Sequence, residues 1–212
     1  MTIIADNRTA KSRLSLTYAE RYLKAGYCPI PVRGERMKKP VHTDWPNLRL
    51  TIDQLSGEFP SGTNVGILLG EPSSGLIDID LDNANALKLA RHFLPETEFI
   101  FGRDSKPSSH HVYKVNNPGK AKKWISPTKD RQMIVELRAN GTQTVFPGSI
   151  HESGEPIEFN DPSGNLPTPS TVDRETLEIA TTNIAIGSVL LDHWQPSIRH
   201  ELSLHVAGFL VD

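Results

Sequence analysis

The chain has 212 residues, 37% of them apolar and 23% charged, with a formal net charge of −2. That length can bury a sizeable core and suits one globular domain with a small appendage. No apolar run nears the roughly 20 residues that cross a bilayer, no basic stretch followed by an apolar core opens the chain, and the lone Cys28 excludes an intrachain disulfide or a cysteine-based zinc module. A reducing cytoplasm, with no membrane partner, is the expected setting.

Residues 1–14 read as a flexible polar lead-in. Leu16, Ala19, Tyr22 and Leu23 recur at helical spacing over Ser15–Ala25, and Gly26 is a natural stop. Pro29 and Pro31 make Tyr27–Val32 an extended segment at a sheet edge. A loop through Gly34, Lys38, Lys39 and Pro40 leads to Trp45. Asn64–Gly70 and Gly75–Leu81 are strand-like runs separated by Glu71–Ser74, which predicts a hairpin. Asn83 or Asn85 caps a helix running to about Leu94, ended by Pro95. A third strand is expected near His111–Val115. Met133–Arg138 and Gln143–Phe146 predict a second hairpin around Asn140-Gly141. Asp161–Pro169 is rich in Pro, Ser, Gly and Asn and reads as a surface loop. From Asp173 onward the pattern is helical, with Ser197 as a cap for the last segment. That segment stops in mid-pattern at Asp212, which predicts a piece of a longer protein. The expected division is therefore a lead-in over 1–14, a main domain over 15–170, and a helical tail or linker over 171–212.

The most informative stretch is Gly75-Leu-Ile-Asp-Ile-Asp-Leu-Asp82. Strand alternation places Asp78, Asp80 and Asp82 on one face and Ile77, Ile79 and Leu81 on the other. Carboxylates two residues apart inside an apolar strand repel each other and lose solvation. A divalent cation such as Mg²⁺ or Mn²⁺ compensates both costs. A solvent-facing polar edge strand and a glycosyltransferase-type Asp-x-Asp fit the same residues. A calcium loop does not, because Asn83 and Leu89 stand where glycine and the closing glutamate belong.

Glu136 is a lone acid in the apolar run Met133–Arg138, on one face with Ile134 and Arg138. With Asp78 and Asp80 it completes the carboxylate set that two-metal phosphoryl chemistry requires. Ser108-Ser-His-His111 offers two histidines, of which alternation lets one face a given site, and Gly148-Ser-Ile-His151 adds a hydroxyl and an imidazole. Lys114, Lys120, Lys122, Lys123, Lys129 and Arg131 cluster around Trp124, a mixture that suits a nucleic-acid strand. Charge is also segregated: residues 50–100 carry two Lys/Arg against eight Asp/Glu, whereas residues 101–138 carry nine against three. A basic groove beside an acidic site produces that pattern, as do ordinary solvated faces. No Walker-type phosphate loop occurs.

The ordered set Leu76-Ile-Asp-Ile-Asp80, Ser109-His-His111 and Val135-Glu-Leu137 resembles the three motifs of the archaeo-eukaryotic primase superfamily. It looks most like the bifunctional primase-polymerase (prim-pol) domains of plasmid, phage and mobile-element replication proteins. Lys39-Pro40 with Trp45, Asn64-Val-Gly-Ile67 and Pro147-Gly-Ser-Ile-His151 resemble flanking segments of that family, so the likeness covers about residues 16–160. Two departures stand out: Lys106-Pro-Ser-Ser109 replaces a usually glycine-rich segment, and Gly148 stands where proline is common. The resemblance implies an α+β catalytic domain built on an RNA-recognition-motif-like sheet and followed by a helical segment. It implies that Asp78, Asp80 and Glu136 hold two catalytic Mg²⁺ or Mn²⁺ ions and that His111, with Ser109 beside it, contacts the nucleotide phosphates. Ser149, His151, Lys39 and Arg138 are further nucleotide-binding candidates, and Lys114, Lys120, Lys122, Lys123 and Trp124 are candidates for nucleic acid. The implied activity is template-directed transfer of a nucleotide from a nucleoside triphosphate to a 3′-hydroxyl. DNA template and primer, nucleoside triphosphates and a C-terminal helicase region are the implied partners. A non-catalytic DNA-binding initiator module and a nucleotide-sugar glycosyltransferase are the competing expectations.

Overall fold

A computed structural model describes residues 7–34, 38–128, 130–194, 196–197 and 199–204, with side chains from Leu14 onward. The elements run α1 (Asn7–Lys24), β1 (Cys28–Arg33), α2 (Ile52–Glu58), β2 (Thr63–Leu68), β3 (Leu76–Leu81), α3 (Ala84–Phe93), β4 (Ile100–Arg103) and β5 (Lys106–Lys114). They continue through β6 (Lys122–Ile125), β7 (Met133–Arg138), β8 (Gln143–Val145), β9 (Ser149–Ile150), β10 (Pro156–Phe159), β11 (Ser170–Thr171) and α4 (Arg174–His193). Among the described residues this is an α+β architecture with a small sheet ordered β1-β2-β8 and a large one ordered β6-β7-β3-β5-β4-β10-β9. Neighbouring strands pair antiparallel, except that β11 runs parallel to β5.

Local chemistry accounts for the helices. Ala19 and Tyr22 of α1 are fully buried and Leu16 and Leu23 pack beside them, which is the stripe read from spacing. Gly26, at φ +81°, ends the turn that follows. The helix starts at Asn7, ahead of Ser15; Ala10, Lys11 and Arg13 are good helix formers without an apolar stripe to betray them. Asn83, rather than Asn85, caps α3, its side chain accepting from Asn85 N at 2.7 Å and Ala86 N at 3.3 Å. Proline-bearing β1 lies at a sheet edge, as expected. Residues 161–169 hold no helix or strand, and residues 199–204 are helical. The chain's first residues, 1–6, and its last segment, 205–212, fall outside the described residues.

Neither predicted hairpin forms a ladder: the first is reduced to a single antiparallel bridge between Gly70 and Leu76, with Gly70 N donating to Leu76 O at 2.7 Å, and β7 does not pair with β8. β2 pairs with β1 and β8, whereas β3 pairs with β5 and β7. The segment over 69–75 therefore carries the chain from one sheet to the other, and 139–142 carries it back. Together β2–β3 and β7–β8 form one long antiparallel ribbon that bends between the sheets. The two crossings are tied to each other. Leu69 N donates to Thr142 O at 3.0 Å, and Glu71 N donates to Asn140 Oδ1 at 2.8 Å. Asn140 thus satisfies the crossing strand rather than turning a hairpin. Alternation reveals that strands exist but not which strands they join, and all six residues of β3 are buried between neighbours.

Two cores result. Ile77, Ile79 and Leu81 face α3 and α4, meeting Ala86, Leu177 and Ile184. Leu76 and Val112 face the small sheet, α1 and α2, within an aromatic cluster that includes Tyr22, Phe99, Phe101 and Phe146. By strand alternation Asp78 and Asp80 project on the second side, into the space between the sheets. Among the described residues no helix is long and apolar enough to cross a membrane.

Gly75 tests the crossing. Its φ is +85°, and a Cβ there would lie 2.0 Å from the Val115 carbonyl oxygen. Gly75→Ala should cost more than about 1 kcal/mol of stability, read as a lowered urea midpoint; an unchanged midpoint would contradict the close approach.

Candidate active site

Antiparallel register brings the acids together. Asp80 lies opposite Glu136 of β7 on one side and His110 of β5 on the other. Asp78 is fully buried, and Asp80 and Glu136 are nearly so. Asp80 and Glu136 line a cleft of about 450 Å³ together with Lys38, Arg103, Lys106 and His151, whereas the fully buried Asp78 does not reach its surface.

Each buried carboxylate has partners, as burial demands. Asp78 Oδ2 accepts from Thr144 Oγ1 at 2.7 Å and lies 3.0 Å from His110 Nδ1. Asp80 Oδ2 is 2.6 Å from Arg138 Nη2, and its Oδ1 is 3.8 Å from His110 Nε2. Glu136 takes Arg138 Nε at 2.9 Å and Lys123 Nζ at 3.2 Å. The His110 ring stacks on Phe101 with centroids 4.6 Å apart and planes inclined by 11°. Burial by itself opposes an ionised Asp78, but His110, Arg138 and the Thr144 hydroxyl outweigh it and lower its pKa. Burial likewise opposes a charged His110, yet the Asp78 and Asp80 carboxylates raise its pKa overall. Arg138, desolvated but facing Asp80, Asp78 and Glu136, is held firmly protonated.

Several expected residues lie elsewhere. His111, expected at the phosphates, points to the α3 side of the large sheet, into a recess lined by Ala90, Leu94 and Thr97. His110 takes the acidic face instead. The register with β3 decides between them, pairing Asp80 with His110 and Ile79 with His111; the β4–β5 ladder is irregular between Phe101 and Arg103, where Ser108 has φ +52°. Ser109 is buried and lines the cleft. Ser149 does not; its hydroxyl accepts from Val65 N at 2.9 Å, a structural use. His151 lines the cleft, with Nδ1 accepting from Ser153 N at 3.1 Å. Lys38 rather than Lys39 lines it, because Lys39 turns outward while its carbonyl pairs with Arg33 N.

The basic segment divides by strand parity. Lys123 faces Glu136, whereas Lys122 bonds Glu178 of α4 at 2.5 Å and the Trp124 indole donates to Thr182 at 3.2 Å. Trp124 therefore packs against α4. Lys114 and Lys120 are exposed and line no part of the cleft. Lys129 lies outside the described residues. Sequence reasoning missed His110, Thr144, Arg103 and Lys106 as site residues. Only the histidine pair carried a signal, since the others become visible once sheet neighbours are known. Asp82 sits on the rim and bonds Lys106 at 3.0 Å.

Asp80 and Glu136 on adjacent strands, with Asp78 buried on the same face of β3, suit a hard divalent cation by donor chemistry. In this conformation their charge is met by Arg138, His110 and Lys123, and among the described residues no group of three or more acid, histidine or cysteine ligands is arranged as a metal centre.

The model of the family described as bifunctional DNA primase/polymerase, N-terminal, matches residues 19–172 of this chain. That span is well over half the chain and contains Asp78, Asp80, His110, Glu136, Arg138 and Thr144. None of the curated proteins compared with the chain matches it significantly.

The displaced His111 has a measurable consequence. Its burial pushes the pKa from 6.5 down to about 4. The folded ring stays neutral where the unfolded ring takes a proton, so stability is full above pH 6.5 and falls as pH drops towards 4. Between pH 7 and pH 5 the wild type should lose about 2 kcal/mol more than His111→Asn in denaturant unfolding. Equal pH slopes would contradict a buried neutral ring.

Proposed function

The chain belongs to the bifunctional DNA primase/polymerase family, and from that premise we propose that the cleft between β3, β5 and β7 carries out template-directed nucleotidyl transfer. The carrying observation is that Asp80 and Glu136 face each other on paired strands and line a cleft that Lys38, Arg103 and Lys106 also line, with Asp78 buried on the same face of β3. In the reaction a 3′-oxygen attacks the α-phosphorus of a nucleoside triphosphate and pyrophosphate departs in line.

The residues divide by charge. Arg103, Lys106 and Lys38 offer cations to the triphosphate, and His151, kept neutral by burial and by the nearby Arg103 and Lys38, offers a hydrogen bond. His110, stacked on Phe101 and bonded to Asp78, presents its Nε2 edge close to Asp80, where a phosphate oxygen would meet it. Asp78, Asp80 and Glu136 are the residues that would hold divalent ions, Mg²⁺ or Mn²⁺, whose chemistry there is to acidify the attacking hydroxyl and shield phosphate charge. Arg138 keeps these acids apart from bulk water and oriented until they are engaged. The exposed Lys120 and Lys123 on the β6 side suit a template or primer backbone.

The motif order further supports reading the chain as the synthesis module of a plasmid, phage or mobile-element replication protein. Such a module would act in the cytoplasm beside a helicase region, with residues 171–212 leading towards it.

Primer extension on a defined template, with Mg²⁺ and with Mn²⁺, tests the assignment. Asp80→Ala and Glu136→Ala should abolish extension while leaving the thermal unfolding transition cooperative. His110→Ala should slow it by at least about a hundredfold, and His111→Ala should stay within a few-fold of wild type. Extension retained in both acid variants would overturn the proposal, and greater sensitivity at His111 than at His110 would overturn the role given to His110.

A further inference from the structure

Thr144 lies on β8, in the small sheet, yet its hydroxyl reaches the acidic face of the large one. Its Oγ1 is 2.7 Å from Asp78 Oδ2 and 3.3 Å from Arg138 Nη1, and the residue is 1% exposed. The direction of both bonds is forced. A guanidinium has only donors and an ionised carboxylate only acceptors. The hydroxyl therefore accepts from Arg138 and spends its single proton on Asp78. Arg138 continues the chain, reaching Asp80 Oδ2 at 2.6 Å and Glu136 Oε2 at 2.9 Å. One hydroxyl thus ties the orientation of three carboxylates on two strands of one sheet to a strand of the other.

The pairing of β8 does not need this hydroxyl. Thr144 pairs with Ile67 through the backbone, and a valine would fill the same buried space with the same branched shape. What valine removes is one of the donors that hold Asp78, together with the acceptor that steadies Arg138. Neighbours that orient a charged ligand set commonly govern its affinity and activity without touching the reactants.

We propose that Thr144 is a positioning residue of the nucleotidyl-transfer site, holding Asp78 directly and, through Arg138, the Asp80 and Glu136 that line the cleft. The proposal rests on the assignment of that cleft as catalytic, and the controls below separate the two.

Thr144→Val, Thr144→Ser and Asp80→Ala are compared with wild type in primer extension with nucleotide and Mn²⁺ each varied. Mn²⁺ binding to the nucleotide-free protein is followed by electron paramagnetic resonance. Thr144→Val should lower kcat about 10- to 100-fold and weaken Mn²⁺ binding by a similar factor, with the nucleotide KM changed less than about threefold. Thr144→Ser, which restores the hydroxyl, should recover kcat and Mn²⁺ binding to within about threefold of wild type. Wild-type kcat and Mn²⁺ binding in Thr144→Val, beside an inactive Asp80→Ala, would overturn the positioning role alone. Equal impairment of the serine and valine variants would do the same. An active Asp80→Ala would instead overturn the assignment of the cleft, and the role of Thr144 with it. If the valine variant does not fold, serine against alanine at the same position makes the same comparison of hydroxyl present and absent.

Discussion

Three carboxylates held out of water between two sheets are the constraint around which the rest of this protein is arranged. Ionised acids in such a place cost several kcal/mol each unless paired and hydrogen-bonded. Asp78, with no exposed surface, is the extreme case. The compensation comes from four different strands: Thr144 on β8, Arg138 on β7, His110 on β5 and Lys123 on β6. Removing one partner leaves the others facing an unbalanced charge, so the site behaves as a unit.

The bent ribbon makes that convergence possible. If β2 and β3 had paired as a hairpin, β8 could not have reached Asp78. Because both chains cross between sheets at the same level, fastened by Asn140 against Glu71 and by Leu69 against Thr142, a small-sheet hydroxyl comes within bonding distance of a large-sheet acid. The opposite face of β3 packs its isoleucines against α3 and α4 and anchors the strand that carries the acids. Below His110 the aromatic cluster of Phe101 and Phe146 provides a rigid, apolar floor, which strengthens the electrostatics above it.

Much of this was legible in the residues, and the parts that were not share a cause. Alternation alone separated Asp78 and Asp80 from Ile77 and Ile79, and a lone Glu136 in an apolar strand marked the third acid. Helix α3 could be read from Asn83 and Pro95, and the edge position of β1 from its prolines. Partnership between strands could not be read. That one ambiguity turned two sheet crossings into expected hairpins, left His110 and His111 undecided by alternation, and hid Thr144, whose neighbours in sequence say nothing about Asp78. Nor could it be read that parity turns Lys122 and Trp124 towards Glu178 and Thr182 on α4. Fold class depends on composition and period, whereas a site depends on register, and a single-residue choice of register exchanges one histidine for the other.

The most direct test of the account is anomalous diffraction at the manganese edge from crystals grown with Mn²⁺ and a non-hydrolysable nucleoside triphosphate. Manganese density against Asp80 and Glu136, with the triphosphate running along Arg103 and Lys106 and meeting His110, is the predicted result. Manganese bound elsewhere, with Arg138 still bridging Asp80 and Glu136 and the phosphates lodged beside His111, would contradict it.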